Sequence, residues 1–460
     1  MSNRRCTTGG LAGRCRLGLL AGLLLCAATA VPGMSHAADL VGIYRMALAN
    51  DPQIKAAEAA RRAAQEKNPQ SRARLLPSIN FSAGVTRDRQ DISNSAGLFA
   101  DNTYFSTTKG YQLVLNQPLF HRDYWVQLEQ ADAVVAQAEA QYAAAQQDLI
   151  LRVSERYFDV LAAQDNVQFA NAERTAIEHQ LEQAKQRFEV GLIAITDVHE
   201  AQAAYDLSAA EEIDARNQLA SAQEALTEVV GARQESLAAL MEKTPLITPD
   251  PADIDKWSDT AMQRNFQLIA SEAQFKIASD EVALRRGGHY PTLDLNASHG
   301  YSDISGGSFG GRNVEDTAVG VELVIPLYQG GGVNSAVREA AELREQSREQ
   351  LEQQRRATLR QARDAYLSVI AAIKRVTALQ QAVVSAQSAL EANEAGLEVG
   401  TRTSVDVLLV RGNLFRAERD HARARYDYIL NTLRLKQAAG ILAAADLDQI
   451  NAWFTDRPKP

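Results

Sequence analysis

Leu293-Asp294-Leu295-Asn296-Ala297-Ser298-His299-Gly300-Tyr301-Ser302 sets apolar residues, with His299 interrupting, against small or polar ones at alternate positions. Successive side chains of a strand point to opposite faces, so this stretch has one apolar and one polar face. A second alternating run lies beyond the polar, glycine-rich Ser305–Gly311. There Val319, Val321, Leu323 and Ile325 alternate with Ala318, Gly320 and Glu322. Pro291 and Pro326 bracket the pair at the ends away from that loop, where proline terminates a ladder and redirects the chain.

The same text stands earlier in the chain. Leu76-Pro77-Ser78-Ile79-Asn80-Phe81 returns as Tyr290-Pro291-Thr292-Leu293-Asp294-Leu295, and Leu115–Phe120 as Leu323–Tyr328. Phe188-Glu189-Val190-Gly191 returns as Leu397-Glu398-Val399-Gly400, and Thr196-Asp197-Val198 as Val405-Asp406-Val407. Four ordered matches indicate an internal repeat. The first half therefore has its own strand pair, with Ile79, Phe81, Ala83 and Val85 on one strand and Tyr111, Leu113 and Leu115 on the other. Pro77 and Pro118 flank it, and a longer loop containing Ser93–Gly97 separates Gln90 from Tyr104. Strands are predicted at about 77–90, 104–118, 291–303 and 314–326. Each is about ten residues long, the length of a tilted membrane strand. Taken singly, each fits a soluble sheet half-buried on helices equally well.

Each strand pair runs into a very long helical hairpin, at about 123–231 and 334–439. These segments are rich in strong helix formers and contain no proline. Leu149, Val153, Tyr157, Val160, Leu161 and Val167 recur at the spacing of one buried face. A helix of this length is about 100 Å long, more than any globular core or bilayer. A coiled-coil rod would show the same features. Gly191 and Gly400 suit the position just past a helix end, where φ is positive, and Thr196 and Ser404 suit the N-cap of the following helix.

The chain opens with Arg4, Arg5, Arg14 and Arg16, an apolar run from Leu17 to Val31, and Ser35-His36-Ala37. This is the pattern of a signal peptide over residues 1–37. All three cysteines, Cys6, Cys15 and Cys26, fall inside it, so a mature chain starting near Ala38 has neither a disulfide framework nor a thiol nucleophile. The net charge of −9 becomes more negative when four arginines leave with that segment, which argues against nucleic acid as a partner. No later apolar stretch reads as long enough for a membrane helix. The domain reading is 1–37 signal, 38–245 first repeat, 246–445 second repeat and 446–460 C-terminal tail.

No catalytic constellation emerges. His121, His179, His199, His289, His299 and His421 are scattered without metal-ligand spacing. There is no nucleophile elbow and no phosphate loop, and Gly330-Gly331-Gly332 reads as a strand-to-helix swivel. The expectation is no enzyme, no cofactor and no metal. Four strands cannot close a barrel, and an open sheet in lipid leaves backbone groups unpaired at several kcal/mol each. If the strands enter a membrane, the protein must oligomerise. A periplasmic coiled-coil or adaptor protein without pore activity is the competing reading.

Glu394-Ala395-Gly396-Leu397-Glu398-Val399-Gly400-Thr401-Arg402-Thr403-Ser404-Val405-Asp406-Val407-Leu408 and its counterpart Arg187–Val198 resemble the TolC family of outer-membrane efflux proteins. The resemblance extends over the mature chain. It implies a mainly α protein with a small β part, in which a long α-helical barrel continues a transmembrane β-barrel completed by trimerisation. It further implies an equatorial belt built from about 233–257 and the C-terminal tail. The implied role is a passive exit duct for proteins or small toxic compounds. A periplasmic adaptor would join it to an inner-membrane ABC, RND or MFS transporter, and outer-membrane lipid would surround the sheet. By the same resemblance Asp406 forms the pore constriction, Arg402 latches to Thr196 and Asp197, and Val190, Gly191, Val399, Gly400 and Thr401 form the tip turns on which an adaptor docks. Leu397 stands where some members place a latch tyrosine, and Leu409 where some place a second pore aspartate.

Overall fold

A computed structural model describes residues 38–93, 102–234, 236–241, 244–308 and 310–458. The expected signal peptide at 1–37 and most of the loop beginning at Ser93 lie outside the described residues.

The first half contains α1 (Leu40–Asn50), α2 (Pro52–Gln65), α3 (Lys67–Ala73), β1 (Ser78–Ile92), β2 (Asn102–Phe120), α4 (Arg122–Glu189) and α5 (Ile195–Val230). A short strand, β3 (Ala238–Leu240), follows. The second half contains α6 (Ile254–Arg264), α7 (Phe266–Arg286), β4 (Thr292–Gly306), β5 (Arg312–Val324), α8 (Gly332–Glu398) and α9 (Ser404–Ala438), and the chain ends with α10 (Ala444–Asn451) and β6 (Phe454–Pro458).

The four long strands form one antiparallel sheet in the order β1-β2-β4-β5. Strands β1, β2 and β4 run longer than the alternation predicts, whereas β5 starts two residues before the expected segment and ends two before its end, at Val324. The β1–β2 ladder holds through Asp91↔Thr103, where Thr103 Oγ1 also donates to Asp91 Oδ1, and Ile92↔Asn102. Pro118 was expected to end the strand. It lies instead inside β2, at an irregularity in its pairing with β4, where a missing N–H is tolerated.

The register sorts the two faces. Ile79, Leu115, Ala297 and Val319 lie in one row, and Phe81, Leu113, His299 and Thr317 in the next. Phe81 (67%) and Val319 (74%) are largely exposed, so this apolar face is uncovered by the chain's own helices. The reading of a sheet half-buried on helices is thereby excluded. The opposite face carries Ser78, Asn116, Asn296 and Gly320 in one row, with Asn116 donating to Asn296 Oδ1 at 2.7 Å.

The helices form one layer below the sheet. Near the sheet α4 lies between α2–α3 and α7, and α7 packs on α8. Further away α4 lies between α5 and α9, with α8 beyond α9. The 68 residues of α4 span about 100 Å. One 18-residue stretch of α8 is apolar enough to pass as a membrane span, contrary to the sequence expectation. The same helix buries Val369, Ala372 and Val376 in the protein's own core. At the junction with the sheet, His121 Nε2 sits 3.0 Å from Asp294 Oδ2 and its ring stacks on Tyr124.

The main core lies midway along the helices, where Tyr157, Phe158, Tyr426, Tyr428, Ile429 and Leu433 from α4 and α9 are fully buried. Their hydroxyls hold the non-helical segment in place. Tyr157 donates to Ala238 O at 2.8 Å, and Tyr428 both accepts from Ile247 N and donates to Ile247 O. The C-terminal tail is more ordered than a plain tail, since β6 pairs antiparallel with β3 and Ala38 bridges Leu237 on the other side of that strand.

Candidate functional site at the hairpin tips

The ends of the α4–α5 and α8–α9 hairpins lie far from the sheet. Both turns are built alike. Gly191 and Gly400 adopt φ of 76° and 79°, the region only glycine enters freely, just after C-caps Val190 and Val399. Gly191 N–H bonds Phe188 O at 2.9 Å, and Thr401 N–H bonds Gly396 O at 2.9 Å. Val190, Leu192 and Val399 protrude from the turns without cover.

The helix starts differ from the sequence reading. Thr196 is not an N-cap. Helix α5 begins at Ile195 with Ala194 as its cap, so no side chain caps it. Ser404 is not a cap either, since Thr403 takes that place. Thr403 wins because Asp406 stands three residues on and closes a capping box. Asp406 Oδ2 accepts from Thr403 N at 2.9 Å and from Thr403 Oγ1 at 2.9 Å, and Asp406 N–H donates to Thr403 Oγ1 at 3.2 Å. The Thr-x-x-Asp spacing carries this signal in the sequence.

These bonds, with a smaller contribution from Arg402, hold the Asp406 carboxyl below the usual aspartate range. A depressed pKa of this kind contributes stability above the unfolded value, lost as pH falls through the folded one. Asp406 is therefore anionic at neutral pH.

Arg402 and Asp197 line one cleft of about 900 Å³ between the two hairpins. Among the described residues, no hydrogen bond or ion pair joins Arg402 to Thr196 or Asp197. The Arg402 stem lies across Gly396 instead, so close that a Cβ there would meet its Cγ at 2.7 Å. What ties the hairpins together within one chain is a set that sequence reading missed. Gln180 Nε2 donates to Ser404 O at 3.0 Å and Ser404 Oγ at 2.9 Å. Arg411 donates to Ala176 O at 3.4 Å, while its bond to Glu394 stays within its own hairpin. Gln180–Ser404 and Arg411–Ala176 are distant in sequence, so no local spacing announces them. Among the described residues no cluster could hold a metal ion.

A membrane-suited sheet on helices that reach about 100 Å away from it, ending in paired turns, defines an outer-membrane export channel protein with a periplasmic extension. The chain belongs to the outer membrane efflux protein family, whose profile matches residues 43–232 and 257–441. It is 40% identical over 420 residues to outer membrane protein TolC of Vibrio cholerae serotype O1, covering 90% of this chain and 94% of that protein. It is 31% identical over 434 residues to the alkaline protease secretion protein AprF of Pseudomonas aeruginosa, covering 93% and 89%. In fold it resembles the CmeC outer membrane channel of Campylobacter jejuni, with a TM-score of 0.75 at 15% identity over 90% of this chain and 89% of that one. VceC of Vibrio cholerae superposes with a TM-score of 0.72 at 20% identity, over 87% and 96%.

Proposed function

We propose that three copies of this chain close into a continuous duct. Three four-stranded sheets make a twelve-stranded barrel, and the helical layers make a barrel beneath it. One observation carries the reading: the chain ends laterally in unsatisfied edges at every level. Among the described residues, strands β1 and β5 each lack a partner on one side. Among the helices, α5 and α8 are the outermost, and they leave Leu207 and Ile213 of α5 and Val384 of α8 exposed. In lipid an unpaired strand edge is prohibitive, so β1 of one copy must meet β5 of the next. The mass of the detergent-purified protein tests this. A heat-modifiable trimer is expected, and a monomer overturns the reading.

The two repeats at 38–245 and 246–445 then supply two hairpins per copy to the closed end. Arg402 of one copy reaches the Thr196–Asp197 turn of its neighbour, which accounts for the unmade bond within a single chain. Such exposed pairs are worth about 1 kcal/mol or less, so docking of a periplasmic adaptor on Val190, Gly191, Val399, Gly400 and Thr401 suffices to open them. Export is passive. An inner-membrane transporter provides the energy, and both secreted proteins and small toxic compounds fit the role. AprF's name ties that relative to protease secretion, which supports protein export among the uses of this duct.

Three Asp406 carboxylates gathered at the constriction attract cations. Asp406→Asn is expected to abolish most of the block of single-channel current by divalent cations, and in the parent protein that block should weaken on acidification as Asp406 protonates. Unchanged block in Asp406→Asn would place the constriction elsewhere.

A further inference from the structure

The apolar face of the sheet is not uniform. Phe81, Tyr111 and Tyr301 stack across β1, β2 and β4, with ring centroids 6.2 and 5.9 Å apart. Ala83 stands opposite Tyr111 on this face, and its small side chain leaves a dip between Phe81 and Val85. The dip belongs to an open groove of about 740 Å³, which Lys109 and Asp303 line at the end nearer the loops. Arg87 lies two residues beyond Val85, so it emerges from the same face about 7 Å further from the helices. Its guanidinium carbon is 5.8 Å from the centre of the Phe105 ring. Arg89, further out, pairs with Asp91 at 3.2 Å. Among the described residues, neither Arg87 nor Lys109 has an ion-pair partner, although Asp303 faces Lys109 across the ladder. Both cations are exposed. Apart from Asp91, the acids of this face are Asp303 on β4 and Glu315 on β5, so positive charge collects on the β1–β2 side.

We propose that Arg87 and Lys109 bind the phosphate of a phosphorylated glycolipid in the outer leaflet, with an acyl chain lying in the groove over Ala83. The helices extend into the periplasm, so the loop end of the sheet is the end that meets this leaflet. A guanidinium and an ammonium both make charge-assisted hydrogen bonds to phosphate oxygens. The two cations stand at the border of the apolar face, and long stems let their charged ends rise to headgroup level. The order on the protein, cations above Val85, Tyr111 and Phe81, matches the order in such a lipid, phosphate above hydrocarbon. A soluble anion would use the cations and leave the groove empty, which is why a lipid is the occupant. The inference rests on the outer-membrane placement of the sheet and does not require closure into a trimer.

Native mass spectrometry of the detergent-purified, full-length protein tests this, with bis-phosphorylated lipid A and its dephosphorylated form as probes. The parent protein is expected to retain the phosphorylated form about tenfold better. Arg87→Gln combined with Lys109→Gln is expected to erase that preference, and Ala83→Phe, which fills the groove, to lower retention of both forms. A preference that survives the double substitution would overturn the site. Inorganic phosphate should not displace the lipid; displacement would reduce the site to a general anion patch and overturn the lipid reading. If the double variant fails to fold, Lys109→Gln and Ala83→Phe decide singly: lost retention in both supports the site, and parent-like retention in either overturns it. A parent protein that stays in solution without detergent would bring down the membrane placement and this inference together.

Discussion

Replacing Gly440 by alanine is expected to destabilise the protein by about 3 kcal/mol or more. Gly440 follows Ala439, the C-cap of α9, with φ 72°, and a left-handed conformation alone costs a non-glycine residue about 1–2 kcal/mol. The larger effect is steric. A Cβ at this position would lie 2.1 Å from Arg264 O, 2.4 Å from Arg264 C and 2.8 Å from Asn265 N. All three are backbone atoms at the break between α6 and α7, so no side-chain rotation relieves the clash. Asn265 also accepts from Leu268 N–H to cap α7 and donates to Ala438 O at 2.9 Å, so moving this backbone undoes a cap and a cross-link together. Gly400→Ala is the control. It has a similar φ of 79° but no atom within 4 Å of the added Cβ, and should cost only the conformational 1–2 kcal/mol or so. Thermal melts followed by helical circular dichroism should show a much larger fall for Gly440→Ala than for Gly400→Ala. Equal falls would mean that α9 does not seat on Arg264 as described.

Phe158→Ala is expected to cost about 3–5 kcal/mol, the range for deleting a buried aromatic ring. Phe158 is fully buried on α4. Its ring stacks on Tyr426 of α9 at 5.5 Å and on Phe454 of the tail at 6.1 Å, and meets Tyr157 edge-on at 5.7 Å. The ring therefore joins both hairpins to β6. Besides a lower melting temperature, the variant should expose the tail to limited proteolysis after Trp453. Unaltered protection of the tail would show that the β3–β6 pairing holds it without the aromatic cluster.

How much of this was legible depends on where each residue's partner lies. The strands announced themselves because Ile79, Phe81 and Val85, and likewise Val319, Val321 and Leu323, alternate along a local stretch. The long helices followed from composition and from apolar steps of three and four. Helix starts were read one or two residues late, at Thr196 and Ser404. At α9 the Asp406 carboxylate selects Thr403 as cap, and at α5 the helix starts without any side-chain cap. The pairing of β6 with β3 and the Gln180–Ser404 and Arg411–Ala176 links join positions far apart in the chain, which carry no local pattern. Arg402 is a third case: among the described residues no bond joins it to Thr196 or Asp197, and its stem lies over Gly396.

The central claim is that this chain builds a closed-tipped pore. Recording the detergent-purified protein in planar bilayers tests it most directly. Discrete, mostly low-conductance, cation-selective openings are predicted. A protein that extracts into water without detergent and yields no channels at any concentration would contradict the account and return the repeat to a periplasmic helical scaffold.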